Sequence, residues 1–276
     1  MKIILQGLLS LALLVGSCLA GSHAATAGDP QALAPSGVLR VGLYRGSPTS
    51  IIEGATPRDA KGVAYDLGRQ LAAALGVPCE TVIYRANAPL LKALAAGEVD
   101  VVFTNATAQR ARHMDFSQPF MSVEKSLLVP QGSPLQTLAA ANRAGLKVGV
   151  SQGSSTSEEL RKIYPAISTQ SVDTLQHAAR MLADRQIDAF ATNDAILYQM
   201  SDGVPGSRVL PGHWGMESFA AGIPKGRQAG MPFLRRFMSQ AQADGSIARA
   251  IERAGLRGAA PLNGAGSGRI RAVHSN

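Results

Sequence analysis

An arginine that follows a buried strand is the first candidate for chemistry in this chain. Residues 99–103 (Val-Asp-Val-Val-Phe) are rich in β-branched residues and predict a short buried strand. Arg110 follows at the place where an open α/β sheet usually binds its ligand, outside the carboxyl ends of the strands. Its guanidinium offers a planar fork of donors that suits a carboxylate. Arg110 is therefore the predicted anion ligand, and Asn105 and Thr107 are predicted either to bind the same group or to cap the local turn.

A second polar cluster opens a helix in the other half of the chain. Ser154, Ser155 and Thr156 come directly before Glu158 and Glu159. The free backbone N–H groups at a helix start, and the positive end of the helix dipole, favour an anion. The same residues also match a capping box, in which a hydroxyl and a glutamate satisfy the helix start between them. Both interpretations stay open, and Ser155 is the strongest ligand candidate, followed by Ser154.

Residues 149–153 (Gly-Val-Ser-Gln-Gly) match the pattern of a nucleophile elbow between a predicted strand and a predicted helix. A hydrolase triad would allow the order of the acidic residues and the histidine that follow, which are Asp173, Asp188, Asp194 and His213. However, no HGGG-like oxyanion segment precedes the match, and an anion-binding turn explains the same glycines. A hydrolase is therefore not favoured, and no catalytic residue is predicted.

Alternating strands and helices position these clusters. An amphipathic helix is predicted from Tyr65 to Leu75, and Gly76 and Pro78 mark its end. The other predicted strands are 38–43, 81–84 and 147–150, and the other predicted helices are 89–96, 231–243 and 245–254. This alternation predicts an α/β protein with a mostly parallel sheet built from βαβ units.

The two halves of the chain resemble each other. The segments that repeat are 40–43 with 147–150, and 94–101 with 182–189. In each half an asparagine stands five places after the repeated aspartate, Asn105 in the first and Asn193 in the second. The repeat suggests two similar α/β lobes whose strand ends face a shared cleft.

Several segments together resemble one protein family. They are the spacing Thr107-x-x-Arg110, then residues 114–120 (Met-Asp-Phe-Ser-Gln-Pro-Phe), 62–67 (Gly-Val-Ala-Tyr-Asp-Leu) and 148–160. These segments are similar to the signature of the family 3 extracellular solute-binding proteins, the amino-acid-type periplasmic receptors of ABC importers. The order of the elements matches that family from about residue 38 to residue 257.

The resemblance implies a two-lobed periplasmic binding protein fold, with a ligand cleft between the lobes and two crossover strands. Residues 124–130 and 217–224 would be the two crossings between the lobes. The predicted parts of the chain are lobe 1 at 37–127 plus 218–257, lobe 2 at 128–217, a linker at 25–36 and a disordered tail at 258–276.

The N-terminus has the features of a signal peptide, predicted at 1–24. Lys2 supplies the positive charge, and the apolar run at 3–15 is shorter than the roughly 20 residues that span a membrane. Residues 15–18 (Val-Gly-Ser-Cys) also resemble a bacterial lipobox, in which Cys18 would be lipidated. A cysteine that merely lies within a signal peptide is the equal alternative. The prediction is a periplasmic protein, either soluble or anchored through Cys18.

Composition limits the partners. The chain of 276 residues carries 27 basic and 19 acidic side chains, a net charge of +8, but the basic residues are dispersed and aromatic residues make up only 5%. A nucleic acid is therefore not an expected partner, because no stacking platform is present. No dense metal-ligand spacing or nucleotide fingerprint occurs, so no metal and no cofactor are predicted. With Cys18 removed or acylated, Cys79 has no disulfide partner.

The sequence departs from the family where a ligand amine would bind. Family members usually carry an aspartate after the corresponding strand of lobe 2, where this chain has Asn193 followed by Asp194. Either Asp194 takes the place of that aspartate after a small shift of the chain, or the ligand lacks an amine. The family's usual aromatic contacts are also absent, since Ser47 and Asn87 stand at about those positions. The aromatic residues that could compensate are Tyr44, Tyr65, Trp214 and Phe219.

The resemblance implies a monomeric receptor that binds an amino acid or a related small carboxylate by closing its lobes. It would deliver this solute to an ABC permease without covalent chemistry, through Arg110, Asn105, Thr107, Ser154, Ser155, Asn193 and Asp194. Two alternatives stay open. One is a periplasmic enzyme of the same fold, similar to cyclohexadienyl dehydratases, with Glu217 as a conceivable acid or base. The other is a sensor or structural lipoprotein.

Overall fold

The computed structural model describes residues 30–56 and 58–262. The predicted signal peptide at 1–24, with its lipobox at Cys18, lies outside the described residues, as do residues 263–276 of the predicted tail. None of the helices in the described ranges has the length and apolar character needed to cross a membrane.

The described part of the chain contains eleven strands and seven α-helices. The strands are β1 (Leu39–Tyr44), β2 (Cys79–Tyr84), β3 (Val102–Asn105), β4 (Met114–Phe116), β5 (Met121–Val129), β6 (Lys147–Ser151), β7 (Ser168–Val172), β8 (Ala189–Asn193), β9 (Arg208–Val209), β10 (Gly215–Pro224) and β11 (Ala259–Pro261). The helices are α1 (Val63–Leu75), α2 (Asn87–Ala95), α3 (Thr156–Ile163), α4 (Leu175–Ala183), α5 (Asp194–Gly203), α6 (Met231–Ala243) and α7 (Ser246–Ala254).

The fold has two α/β lobes, as predicted. In the first lobe β1 pairs in parallel with β2 and approaches β3 through a bridge between Val41 and Val101, with α1, α2, α6 and α7 packed around them. In the second lobe β7, β6 and β8 are parallel neighbours, accompanied by α3, α4 and α5. The long strands β5 and β10 pair with each other and connect the lobes. Both are antiparallel to their neighbours β8 and β3, so the sheet is mixed rather than mostly parallel.

The lobes are packed against each other. One apolar core lies mainly in the first lobe, with Ala195 of α5 added to it, and another lies in the second lobe. A third contains side chains of both, because Tyr44 and Leu90 of the first lobe belong to the same cluster as Leu175 and Phe190 of the second. Side chains of the two lobes are therefore in contact in this structure.

The sequence repeat corresponds to a repeated local structure. In the first lobe Asp100 Oδ2 accepts a hydrogen bond of 2.8 Å from the backbone N–H of Arg40, at the second residue of β1. In the second lobe Asp188 Oδ2 accepts a bond of the same length from the backbone N–H of Lys147, which begins β6. The turn at Asp100 also delays β3, which begins at Val102 rather than at the predicted residue 99.

The predicted linker and tail are both too long. Leu33, in the predicted linker at 25–36, is only 1% exposed, because it packs into the apolar core of the first lobe after a short 3-10 turn at Pro30–Ala32. Ala259–Pro261, in the predicted tail at 258–276, form β11 and pair with Met121–Val123 of β5. These backbone groups complete the edge of β5 before β8 begins to pair with it at Lys125.

Candidate functional site

A cleft between the lobes brings together most of the predicted site residues. Arg110 and Asn105 reach it from the first lobe, Ser154 and Asn193 from the second, and Glu217 from the crossover strand β10. In this structure the centre of a water molecule can occupy about 50 Å³ of the cleft. That volume holds a few water molecules or a small solute.

The guanidinium of Arg110 is fixed at the end of β3. Its Nη1 donates to Thr104 Oγ1 at 2.7 Å and to the carbonyl of Asn105 at 3.1 Å. Its Nη2 has only a long contact of 3.5 Å, to the carbonyl of Gly153 in the second lobe. Burial lowers the pKa of Arg110, while Glu217 and Glu159 oppose that effect. One side of the fork is thus anchored, and the other side faces the second lobe with a weak partner that a ligand oxygen can replace.

Asn105 and Thr107 differ in their placement. Asn105 lines the cleft, and its Oδ1 accepts a hydrogen bond of 3.2 Å from the backbone N–H of Ser218 on β10. Thr107 is not among the residues that line the cleft in the described structure. Its Oγ1 accepts from the backbone N–H of Arg110 at 3.2 Å, so it starts the 3-10 turn that carries the arginine. Of the two roles predicted for Thr107, the structure shows the turn cap.

The turn between β6 and α3 presents Ser154 to the cleft. Gly153 adopts a φ of +78°, and the hydroxyl of Ser154 donates to the carbonyl of Ser151 at 2.7 Å. Ser155 does not line the described cleft, and its side chain makes no capping hydrogen bond at the start of α3. The predicted capping box is therefore absent, and the helix start keeps its free N–H groups. The ligand candidate on this turn is Ser154 rather than Ser155, because the turn directs the earlier serine inwards.

Asn193 joins the second lobe to the crossover strand. Its Oδ1 accepts from the backbone N–H of Ile196 at 3.2 Å and so caps α5. Its Nδ2 donates to Glu217 Oε2 at 2.9 Å. Both polar atoms of this buried side chain are thus occupied, and the amide orients Glu217 within the cleft.

Asp194 is buried outside the lining of the cleft. It is only 5% exposed, yet it is not among the described residues that line the cleft. As the first residue of α5, it lies against Gly258, where an added methyl carbon would come within 2.5 Å of Asp194 Cβ. Burial first, and the charge of Glu124 second, raise the pKa of Asp194 to about 6, while His213 opposes the shift. Of the two alternatives for the ligand amine, this placement does not favour Asp194 as its partner, because Asp194 does not line the described cleft.

We expect the buried carboxylate of Asp194 to cost stability at neutral pH. Its native pKa of about 6 lies above the ordinary value for aspartate. The folded state therefore holds this proton more tightly, and stability falls as the pH rises from about 4 to about 6. Asp194→Asn should raise the free energy of unfolding by about 1 to 2 kcal/mol at pH 7.5 and leave it nearly unchanged at pH 4, measured by urea unfolding. The control is Asp202→Asn, an exposed aspartate on the same helix, and a less stable Asp194→Asn at pH 7.5 would contradict the prediction.

Glu217 is the site residue that the sequence did not single out for binding. It is 8% exposed and lines the cleft from β10. Burial raises its pKa, and the nearby charge of Glu159 adds to that rise, while Lys125, the hydrogen bond from Asn193 and Arg110 oppose it. The available signal was a single acidic residue inside an otherwise uncharged crossover strand, Gly215–Pro224.

A buried lysine supports this part of the cleft from behind. The side chain of Lys125 on β5 is 2% exposed and forms an ion pair with Glu159 of α3. Its Nζ also lies 4.6 Å from the centre of the Trp214 ring. Lys125 therefore ties α3 to the crossover strands and places a positive charge near Glu217.

Two of the four aromatic candidates reach the cleft. Tyr44 and Phe219 line it. Tyr65 is buried in the core of the first lobe instead, and Trp214 packs on Lys125. Phe103 on β3 lines the cleft as well, so its aromatic walls come from β1, β3 and β10 rather than from the positions of Ser47 and Asn87.

The fold and the cleft define a two-lobed α/β solute-binding protein. The chain belongs to the bacterial extracellular solute-binding proteins, family 3, whose family model matches residues 39–255. This result confirms the resemblance drawn from the motifs around Arg110 and Ser154.

Individual relatives are distant. The chain is 26% identical over 179 residues to a glutamine-binding protein of Geobacillus stearothermophilus, covering 64% of this chain and 66% of that protein. It is 27% identical over 154 residues to the ABC transporter glutamine-binding protein GlnH of Bacillus subtilis, covering 55% of this chain and 56% of that protein. The matches thus span less than two thirds of either relative. A crystal structure of an ancestral amino acid-binding protein, a precursor of cyclohexadienyl dehydratase, superposes with a TM-score of 0.69 at 21% identity, covering 82% of this chain and 98% of that one. That similarity shows the fold.

Proposed function

We propose that this protein is the exported substrate-binding component of an ABC importer and that it binds an amino acid or a related small carboxylate. The observation that carries the proposal is the guanidinium of Arg110, which is anchored by its Nη1 in the first lobe and faces the Gly153 carbonyl with its Nη2. A ligand carboxylate there would meet Arg110 from one lobe and the turn before α3 from the other. Lobe closure would remove water from this contact and strengthen it.

The family and the names of the relatives support this proposal. Family 3 members are extracellular solute-binding proteins, and two relatives are named glutamine-binding proteins. We also propose that the protein is a periplasmic monomer that delivers its solute to an inner-membrane permease. The residue limits given above for the two lobes are part of the same proposal. The protein is either anchored by a lipid on Cys18 or released in soluble form when the signal peptide is cleaved.

The proposal is tested by thermal unfolding of the mature protein against a panel of amino acids, hydroxy acids and dicarboxylates. A ligand at about 100 times its dissociation constant should add roughly 2.7 kcal/mol to the free energy of unfolding. We expect Arg110→Ala to abolish this stabilisation, because the ligand carboxylate loses its charged partner. The matched control is Arg112→Ala, an exposed arginine two residues further on, which should keep the full shift. A panel without any stabilising ligand, or a full shift in Arg110→Ala, would contradict the proposal.

A second candidate function is a periplasmic enzyme of the dehydratase type. The observation that favours it is Glu217, a buried carboxyl group in the cleft with a raised pKa. Such a group can hold a proton at higher pH than an ordinary glutamate, as a general acid must. Turnover of prephenate or arogenate by the purified protein, lost in Glu217→Gln, would support the enzyme. Saturable binding without turnover would support the receptor.

A further inference from the structure

The charged side chains of the cleft are few and of opposite sign. Among the described residues that line it, Arg110 is the one cation and Glu217 is the one carboxylate. The remaining walls are uncharged, with hydroxyl groups such as Ser47 and apolar side chains such as Phe103 and Ile196. A ligand with a third charge would therefore bury that charge without a partner, which is strongly unfavourable.

Glu217 is held so that one carboxylate oxygen is available. Its Oε2 accepts the hydrogen bond of 2.9 Å from Asn193 Nδ2. No described residue donates a hydrogen bond to its Oε1. The nearby cations are already engaged, since Lys125 pairs with Glu159 and the Nη1 of Arg110 is bonded to Thr104 and Asn105. A buried carboxylate with a free oxygen is a strong acceptor for an ammonium group.

The other candidates for binding an ammonium group are already bonded or do not line the cleft. The Oδ1 of Asn193 already caps α5, and its Nδ2 is a donor that faces Glu217. Asp194 lies against Gly258 and outside the lining of the cleft. Glu159 is bound to Lys125 and does not line the described cleft either.

We propose that Glu217 accepts the ammonium group of a zwitterionic ligand whose carboxylate binds Arg110, and that this ligand is an amino acid with an uncharged side chain. The inference rests on the proposed receptor function and names its substrate class. The loss of an aspartate after β8 is then compensated from β10, where Asn193 positions the glutamate that replaces it. The ligand is neutral overall, as is the pair of side chains that receives it.

The test uses pairs of probes that differ only at the amine. Calorimetric titration compares L-alanine with L-lactate and L-serine with L-glycerate, because each hydroxy acid replaces the ammonium by a hydroxyl group; L-glutamine, L-glutamate and L-arginine test the side chain. For the wild-type protein we expect at least one amino acid with an uncharged side chain to bind about 30-fold or more tightly than any hydroxy acid, since the buried charge pair is lost. Glutamate and arginine should bind more weakly than glutamine.

Substitutions of Glu217 test whether this residue causes the preference for an amino acid over a hydroxy acid. Glu217→Gln keeps the size of the side chain and the acceptor for Asn193, so we expect it to fold, to lose about 30-fold or more in affinity for the amino acid, and to change the hydroxy-acid affinity by less than about threefold. Glu217→Asp restores the charge and should recover part of the loss. The control is Glu124→Gln, which removes an exposed carboxylate from the facing strand β5 and should change neither affinity.

The outcomes separate this inference from the proposed function. If the wild type binds hydroxy acids as tightly as amino acids, or if Glu217→Gln keeps its amino-acid affinity, Glu217 is not the ammonium partner although the receptor function stands. If glutamate or arginine binds most tightly, the substrate class is wrong. If no small acid binds the wild type, the receptor function fails and this inference fails with it.

Discussion

Lys125→Met is expected to lower the free energy of unfolding by about 2 to 4 kcal/mol, because it removes one partner of a largely buried ion pair. The side chain of Lys125 is 2% exposed, whereas that of its partner Glu159 is 34% exposed and can still be partly hydrated. For this reason we expect less than the loss typical of a fully buried pair. The substitution also removes the contact of the Lys125 ammonium with the Trp214 ring, whose centre lies 4.6 Å from Nζ.

The same substitution should also affect the cleft. Lys125 is the largest of the influences that lower the pKa of Glu217, so its removal should raise that pKa further. The carboxyl group would then be protonated over a wider pH range, and amino-acid affinity should fall at neutral pH and recover as the pH is raised.

Urea unfolding and calorimetric titration measure the two effects of Lys125→Met. The control is Lys162→Met, which removes an exposed ion pair with Glu158 on α3, the helix that carries Glu159. It should lower the free energy of unfolding by no more than about 0.5 kcal/mol. A Lys125→Met protein within about 1 kcal/mol of the wild type would show that the buried pair contributes little net stability.

Gly153→Ala is expected to weaken ligand binding about tenfold or more, because the added methyl group obstructs lobe closure. A Cβ at this position would lie 2.9 Å from Ala88 Cβ and 3.0 Å from Ala88 Cα, at the start of α2 in the opposite lobe. The obstruction involves backbone and a short side chain, so α2 and the turn must move apart. The Nη2 contact between Arg110 and the Gly153 carbonyl would be lost with that movement.

The control for this prediction is Gly145→Ala. Gly145 has a φ of +82°, close to the +78° of Gly153, so both variants carry a similar backbone strain of about 1 kcal/mol. No heavy atom lies within 4 Å of a Cβ at Gly145. Both proteins should therefore lose similar stability, but only Gly153→Ala should lose affinity and show a larger radius of gyration with ligand in solution scattering. Equal affinities in the two variants would mean that closure does not require this contact.

The sequence determined the class of the fold and one half of the site. The repeat around Asp100 and Asp188 indicated two lobes. In each lobe the aspartate accepts a hydrogen bond from the backbone of that lobe's first strand, and a repeated sequence segment forms this local structure twice. Arg110 was predicted from its place after a buried strand, because the carboxyl end of a strand fixes where the next polar residues lie. Glycine and proline marked the end of α1 for a similar local reason.

Only the tertiary structure decided which acidic residue faces the cleft. Asp194 and Asn193 are adjacent in sequence, and the start of α5 turns the asparagine towards the cleft and the aspartate towards Gly258. Glu217 enters the cleft through the antiparallel pairing of β10 with β5, which joins residues far apart in the chain. Local patterns carry no information on such pairings. The strand order brings Glu217 within hydrogen-bonding distance of Asn193, and burial against Arg110 and Lys125 then gives the carboxyl group its electrostatic environment.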